Sequence, residues 1–281
     1  MNILPAEKQL QIVNALVEGN SIRATSRLAG VEHKTVLRVL LRVGDACGQL
    51  LNERVRRIRA KHVQVDEIWT YVFKKQKNLG MADDEATMGD QYVFVAMDSD
   101  TKLVISHLVG KRDYPNAFNL IADLKARLAN RVQLTTDGFK PFLMAVEDNF
   151  GSDVDYGVLV KMYGGDREET AGPAWYGPAK VTAAMPTRVM GDPDWKHIST
   201  SHIERQNLTM RMQMRRFTRL TNAASKKLDN LKAQVALHFA HYNFCRVHYS
   251  LRVTPAMEAG LTFKVWTLAD LLAANQREWA A

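Results

Sequence analysis

The chain has 281 residues, 46% of them hydrophobic and 24% charged, so it can bury a full core and has ordinary globular composition. No apolar run approaches the roughly 18 residues of a membrane span, and the first residues, Met1 to Glu7, lack the basic-then-apolar pattern of a signal peptide. Two cysteines, Cys47 and Cys245, make neither a disulfide framework nor a CxxC zinc pair, so a cytoplasmic protein is expected.

The net charge of +8 is unevenly placed. Residues 1–61 carry 11 Lys/Arg against 5 Asp/Glu, residues 62–204 carry 15 against 21, and residues 205–252 carry 10 against 1. Basic ends around an acidic middle point to nucleic acid as partner, and leave the central acids needing a separate reason.

Residues 6–43 read as three short helices. Leu10, Val13, Leu16 and Val17 recur at helical spacing, Ser21 caps a second helix over 22–29, and Gly30 accepts the positive φ of the turn that follows. The third helix starts near His33 with Val36, Leu37, Leu40 and Leu41 on one face. This is helix-turn-helix spacing. On the third helix Lys34, Arg38 and Arg42 share the opposite face, so His33, Lys34 and Thr35 would lie nearest the base edges of a major groove, with Arg38 and Arg42 behind them. A plain three-helix bundle with a solvated basic face is the alternative. Residues 46–61, ending in Arg54, Arg56, Arg57, Arg59 and Lys61, read as a basic linker helix after a domain of residues 1–45.

From residue 62 the period changes to two. Val63 to Phe73 alternates, with Val65, Trp69 and Tyr71 on one face and Asp66, Ile68 and Val72 on the other. Strands are expected at 92–98 and 103–109, a helix around Phe118 to Leu128, a short strand at 132–136 ending in Asp137-Gly138, a helix at 141–150 and a strand at 156–162. Three strands followed by helix, strand, helix, strand is a mixed α/β pattern. Residues 164–197 hold five Gly and four Pro and read as an irregular loop. A basic helix over 198–219, a helix over 223–244 and a helical extension over 253–281 close the chain. His238, His241 and Cys245 share a face, but without a clear fourth ligand packing explains them better than zinc.

Three carboxylates stand out by context. Asp66 lies mid-strand on an apolar face, where an unpaired charge is costly. Asp137 ends a central strand, where open α/β sheets collect ligands. Glu204 is a lone acid at the start of the basic helix. Each has an ordinary explanation: Asp66 paired with a lysine, Asp137 as a turn residue, Glu204 as the partner of Ser201 in a capping box.

Asp66-Glu-Ile-Trp-Thr-Tyr-Val, Thr135-Thr-Asp-Gly-Phe-Lys-Pro-Phe142 and Ile203-Glu-Arg-Gln-Asn-Leu-Thr-Met-Arg211 together resemble the three catalytic blocks of DDE transposases of the insertion-sequence-one type. The likeness covers residues 62–252, and Ser225-Lys-Lys-Leu228 with His241-Tyr-Asn243 extends it. Cysteine-rich N-terminal zinc modules found in some members are missing here, and the 164–197 segment is longer than expected. The resemblance implies a ribonuclease-H-like catalytic domain in which Asp66, Asp137 and Glu204 hold two divalent ions. Oxygen donors without thiolates or clustered imidazoles suit Mg²⁺ or Mn²⁺. Asn207 and Arg211, one and two turns after Glu204, would position DNA phosphates, with Arg215 further along the basic run. The implied activity is cleavage at the terminal inverted repeats of a mobile element and joining to target DNA, by a dimer or larger assembly. A helix-turn-helix regulator without cleavage activity, and a ribonuclease-H-like nuclease that does not join strands, are the competing readings.

Overall fold

Three N-terminal helices open the computed structural model, which describes residues 4–163, 181–218 and 221–274. Helix α1 (Ala6–Val17) is followed by α2 (Ile22–Ala29) and α3 (His33–Arg54). The Ser21 hydroxyl accepts from Ala24 N at 3.1 Å, and Gly30, at φ 62°, ends α2 in the left-handed conformation that favours glycine.

The expected linker helix over 46–61 does not form as such. Helix α3 runs unbroken through Gly44 to Arg54 because its apolar stripe continues through Val43, Cys47, Leu50 and Leu51, all buried. The chain then leaves the helix. Val55 and Ile58 are buried, and Ile58 bridges Leu128, with Ile58 N donating to Arg127 O at 2.8 Å. Apolar anchoring of this segment outweighs its run of arginines as a helical signal.

Six strands form one sheet: β1 (His62–Val72), β2 (Gly89–Asp98), β3 (Val104–Gly110), β4 (Gln133–Asp137), β5 (Asp155–Tyr163) and β6 (Val181–Met190). Their order is β3-β2-β1-β4-β5-β6; β2 is antiparallel to both β1 and β3, β4 is parallel to β1 and to β5, and β6 returns antiparallel. An antiparallel meander continued by parallel strands through helical crossovers is the ribonuclease-H-like arrangement expected for the fold class. Strand β6 corrects the sequence expectation of an irregular loop over 164–197. Its pairing with β5 supplies the order that its own composition does not signal, and residues 164–180 of that segment lie outside the described residues.

Helices cover both faces. α4 (Tyr114–Arg127) and α5 (Lys140–Phe150) make the crossovers, and α6 (Ser201–Gln213) and α7 (Leu228–Phe244) follow β6. The register tells which face each takes. Phe94 is opposite Glu67 and packs edge-on against Phe142 of α5, whereas Val95 is opposite Asp66, and His107, next across, contacts Phe239 of α7. Asp66 and Glu67 therefore face different layers.

Both basic-segment helices are shorter than their sequence patterns imply. α6 stops at Gln213, before a 3₁₀ turn at Arg215–Phe217, and α7 begins only at Leu228. Asn243 of α7 grips edge strand β3, its amide donating to Val104 O at 2.9 Å and its carbonyl accepting from Val104 N at 3.1 Å. Short helices α8 (Pro255–Glu258) and α9 (Leu268–Ala274) end the described chain. One continuous core runs from Ile12 through the sheet to Leu272. Among the described residues no helix is long and apolar enough to cross a membrane.

Candidate functional site

Strand β1 pairs with β4 only from His62↔Gln133 as far as Gln64↔Thr135. Two residues further on, the same register sets Asp66 beside Asp137, where the strands have parted. Into this gap come three carboxylates: one oxygen each of Asp66, Glu67 and Asp137 lie within 4.8 Å of one another. Alternation sends Asp66 and Glu67 to opposite sides of the strand, and only the splayed sheet end lets their carboxylates meet.

Helix α6 is seated over this end by β1 itself. The Gln64 carbonyl accepts from His202 N and Ile203 N, both at 3.0 Å, so a side chain from the strand satisfies two open donors at the helix start. Two residues along the same face of β1, Asp66 Oδ2 accepts from the Asn207 amide at 2.8 Å. Glu204 thus enters the cleft that Asp66 and Asp137 line, a space of about 990 Å³. The Ser201 capping box is not observed. Thr200 is the N-cap and Ser201 the first helical residue, so the Thr200 hydroxyl donates to Glu204 Oε1 instead. The Lys161 ammonium, from β5, pairs with the same oxygen.

The electrostatics are those of crowded acids. Asp66 is pushed up to about 7, first by burial, then by Glu67 and Asp137, against a backbone hydrogen bond that lowers it. Glu67 is also raised, by burial and then by Asp137, with Arg112 opposing. Arg112 Nε donates to Glu67 Oε1 at 2.7 Å while its guanidinium lies 3.9 Å from the centre of the Phe139 ring. Glu67 Oε2 and Asn207 Oδ1 are buried without a hydrogen-bond partner among the described residues. Acceptor-only oxygens, mutual repulsion and orphaned acceptors make this donor set suited to a hard divalent cation. Among the described residues, Asp66, Glu67 and Asp137 are the one group of His, Cys, Asp and Glu side chains close enough to share an ion, and His238, His241 and Cys245 form no such group.

The residues expected from sequence to bind DNA fall in four places. Asn207 and Arg211 line the acidic cleft, together with Arg112, Lys140 and Lys161. Lys34 and Arg38 are exposed on α3, Lys34 lying 4.0 Å from Glu32 and Arg38 bonded to the half-buried Thr35 at 3.1 Å. Arg42 is turned inward and donates to Gln9 of α1 at 2.6 Å. His33 and Arg215 meet in a separate groove between the N-terminal helices and the segment after α6.

Sequence reasoning passed over Glu67, Gln64, Arg112 and Lys161. Glu67 had a signal, being an acid on the face that carries Val65 and Trp69, but its neighbour Asp66 drew the attention. The other three had none, since each is defined by a partner more than 40 residues away in sequence.

No protein-family model and no curated protein sequence matches the chain. Among solved structures, similar chains include the Mos1 transposase paired-end complex with left transposon end, at 15% identity and a TM-score of 0.25 over 56% of this chain and 60% of that one. The mariner Mos1 paired-end complex with Mn is similar at 15% identity and a TM-score of 0.22 over 53% and 58%. The piggyBac transposase synaptic complex with hairpin DNA is similar at 10% identity and a TM-score of 0.41 over 98% and 72%. The chain thus spans less than two thirds of the length of the Mos1 chains. At such identities and TM-scores these likenesses assign no activity, and the fold rests on the strand order itself.

Proposed function

We propose that the protein is a DNA transposase that binds the ends of its mobile element, cleaves the DNA there and joins it to a target by metal-dependent phosphoryl transfer. The observation that carries this reading is the convergence of Asp66, Asp137 and Glu204 on one cleft whose rim carries Arg112, Lys140, Lys161 and Arg211. A bare cation-binding pocket would have no use for such a rim, and a pure DNA-binding surface would not tolerate the buried acids.

The carboxylates of Asp66 and Asp137 would be the primary ligands of Mg²⁺ or Mn²⁺, with Glu204 completing the set and Glu67 beside them. When bound, a pair of such ions activates a water or a DNA 3′-hydroxyl and stabilises the leaving oxygen. The rest falls to the chain. The Asn207 amide orients Asp66, Arg112 holds Glu67, and Lys161 and Thr200 keep Glu204 ordered until a cation competes for it. Arg211 and Lys140 attract backbone phosphates to the edge of the acids. His33, Lys34, Thr35, Arg38 and Arg215 supply end binding in this reading. Arg42 would act indirectly, by fixing α3 against α1.

Strand cleavage and joining assayed on labelled element ends in Mg²⁺ test the proposal. Asp66→Asn, Asp137→Asn and Glu204→Gln are each expected to lower both steps by roughly a thousandfold, since each removes part of the metal's transition-state stabilisation of several kcal/mol. Chelation by EDTA should act likewise. Unchanged cleavage in all three variants would falsify the assignment, and metal-dependent cleavage without joining would identify a nuclease instead.

A further inference from the structure

Helix α6 has a second polar face. Glu204, Asn207, Leu208 and Arg211 line the acidic cleft, while His202, Arg205, Gln206 and Thr209, offset by about half a turn, line a groove on the other side, a space of about 560 Å³. Its cationic wall is Lys102 from the β2–β3 turn, Arg205 from α6, and Arg246 and Arg252 from the loop after α7, with His202 and His248 lining the groove between them. No carboxylate lines it among the described residues. Asp100, whose charge reaches Lys102 and His202, is held by His62 Nδ1 at 3.0 Å.

Two further observations set this groove apart from a solvated basic face. Lys102 at φ 61° and Arg252 at φ 64° are non-glycine residues in the left-handed region, a backbone cost borne at two of the lining positions. Tyr249 is 82% exposed and has the Arg252 guanidinium 4.7 Å from its ring centre, so an aromatic ring stands in water beside the cations of the groove. Consistent with that field, His202 and His248 are both held below the usual histidine range, by burial and then by Lys102.

We propose that this groove is a nucleic-acid subsite distinct from the catalytic cleft, taking a single-stranded segment with one base stacked on Tyr249 and its phosphates on Arg205 and Arg246. Phosphates alone would need only the cations. The exposed ring adds a platform that a base can reach only when unstacked from a duplex. The inference rests on the reading that the chain acts on DNA, whose cleavage frees single-stranded ends, and α6 is the wall shared by cutting and holding.

The test is fluorescence anisotropy in EDTA with a short labelled single-stranded oligodeoxynucleotide and with its duplex, across a salt series. Arg205→Ala with Arg246→Ala should flatten the single-strand salt slope by about 1.4, at about 0.7 for each phosphate no longer neutralised. Tyr249→Ala should weaken single-strand binding roughly tenfold and duplex binding less, while Tyr249→Phe keeps wild-type affinity. Arg54→Ala with Arg59→Ala removes two charges that do not line the groove, so this variant should bind as wild type. Wild-type binding by the groove variants, a loss matched by the Arg54/Arg59 control, or an equal loss in Tyr249→Phe and Tyr249→Ala would each overturn the subsite. Failure of the wild-type protein to bind either DNA would instead remove the transposase reading beneath it.

Discussion

His238 shows how a single buried side chain sets a condition on the whole fold. It lies on α7, 2% exposed, packed against Phe239 and Tyr242 with Nε2 unpartnered among the described residues. Burial, and then His241, Arg246 and His107, push it down to about 3 from an ordinary 6.5. Between those values the unfolded chain binds a proton that the folded chain refuses. This contribution is complete above pH 6.5 and shrinks as the pH falls below it, by about 1.4 kcal/mol per pH unit. Urea unfolding at pH 7, 6 and 5 should show that loss, and His238→Gln should remove about one proton from the slope whatever its effect on stability at pH 7. An unchanged slope would mean the imidazole is charged in the fold. The Lys161–Glu204 pair is a residue-scale contact of another kind, setting an ammonium from β5 against an acid of the cleft.

At the scale of elements, the contact between α3 and α7 decides how the N-terminal helices are held. A Cβ at Gly44 would come 2.5 Å from Ala233 Cα, Cβ and O, whereas one at Gly48 would meet Ala236 Cβ at 4.0 Å, an ordinary contact. Glycine within a helix costs roughly 1 kcal/mol relative to alanine. Gly48→Ala should therefore stabilise by somewhat under that amount. Gly44→Ala should destabilise by about 1–3 kcal/mol, because backbone cannot retreat as a flexible side chain can. Chemical denaturation of the two variants measures both signs, and a stabilised Gly44→Ala would mean that the two helices do not cross this closely. The seating of α6 by Gln64 is the same kind of device, in which one side chain fixes an entire helix and, with it, Glu204.

For the molecule as a whole, the continuous core argues for one cooperative unit. Ile12, Val36 and Val43 belong to the same buried cluster as Val65, Leu134 and Phe239. Tryptophan fluorescence and far-UV circular dichroism are expected to report a single urea transition with one midpoint. A separate early transition in the helical signal would show that residues 6–54 fold apart from the sheet. The charge distribution works at this scale too. The acids collect at the splayed end of β1 and β4, while the basic segment after Glu204 wraps both sides of α6.

Much of this was legible in the chain because period and turn chemistry are local. Ser21 and Gly30 bound α2, alternation marks β1, and proline with an apolar stripe marks α5, each needing only neighbours in sequence. The ribonuclease-H-like fold and the three separated acids could be expected from short blocks of residues for the same reason. What tertiary structure alone decided is whatever depends on distant partners. Helix α3 runs on to Arg54 because α7 supports it, and β6 is a strand because β5 pairs with it. Glu67 joins Asp66 from the opposite face because the sheet splays beyond Gln64 and Thr135. Glu204 is engaged by Lys161, and the face of α6 turned away from the acids closes a groove with Tyr249 and Arg252. Such partnerships depend on distances through space, which the order of residues along the chain does not express.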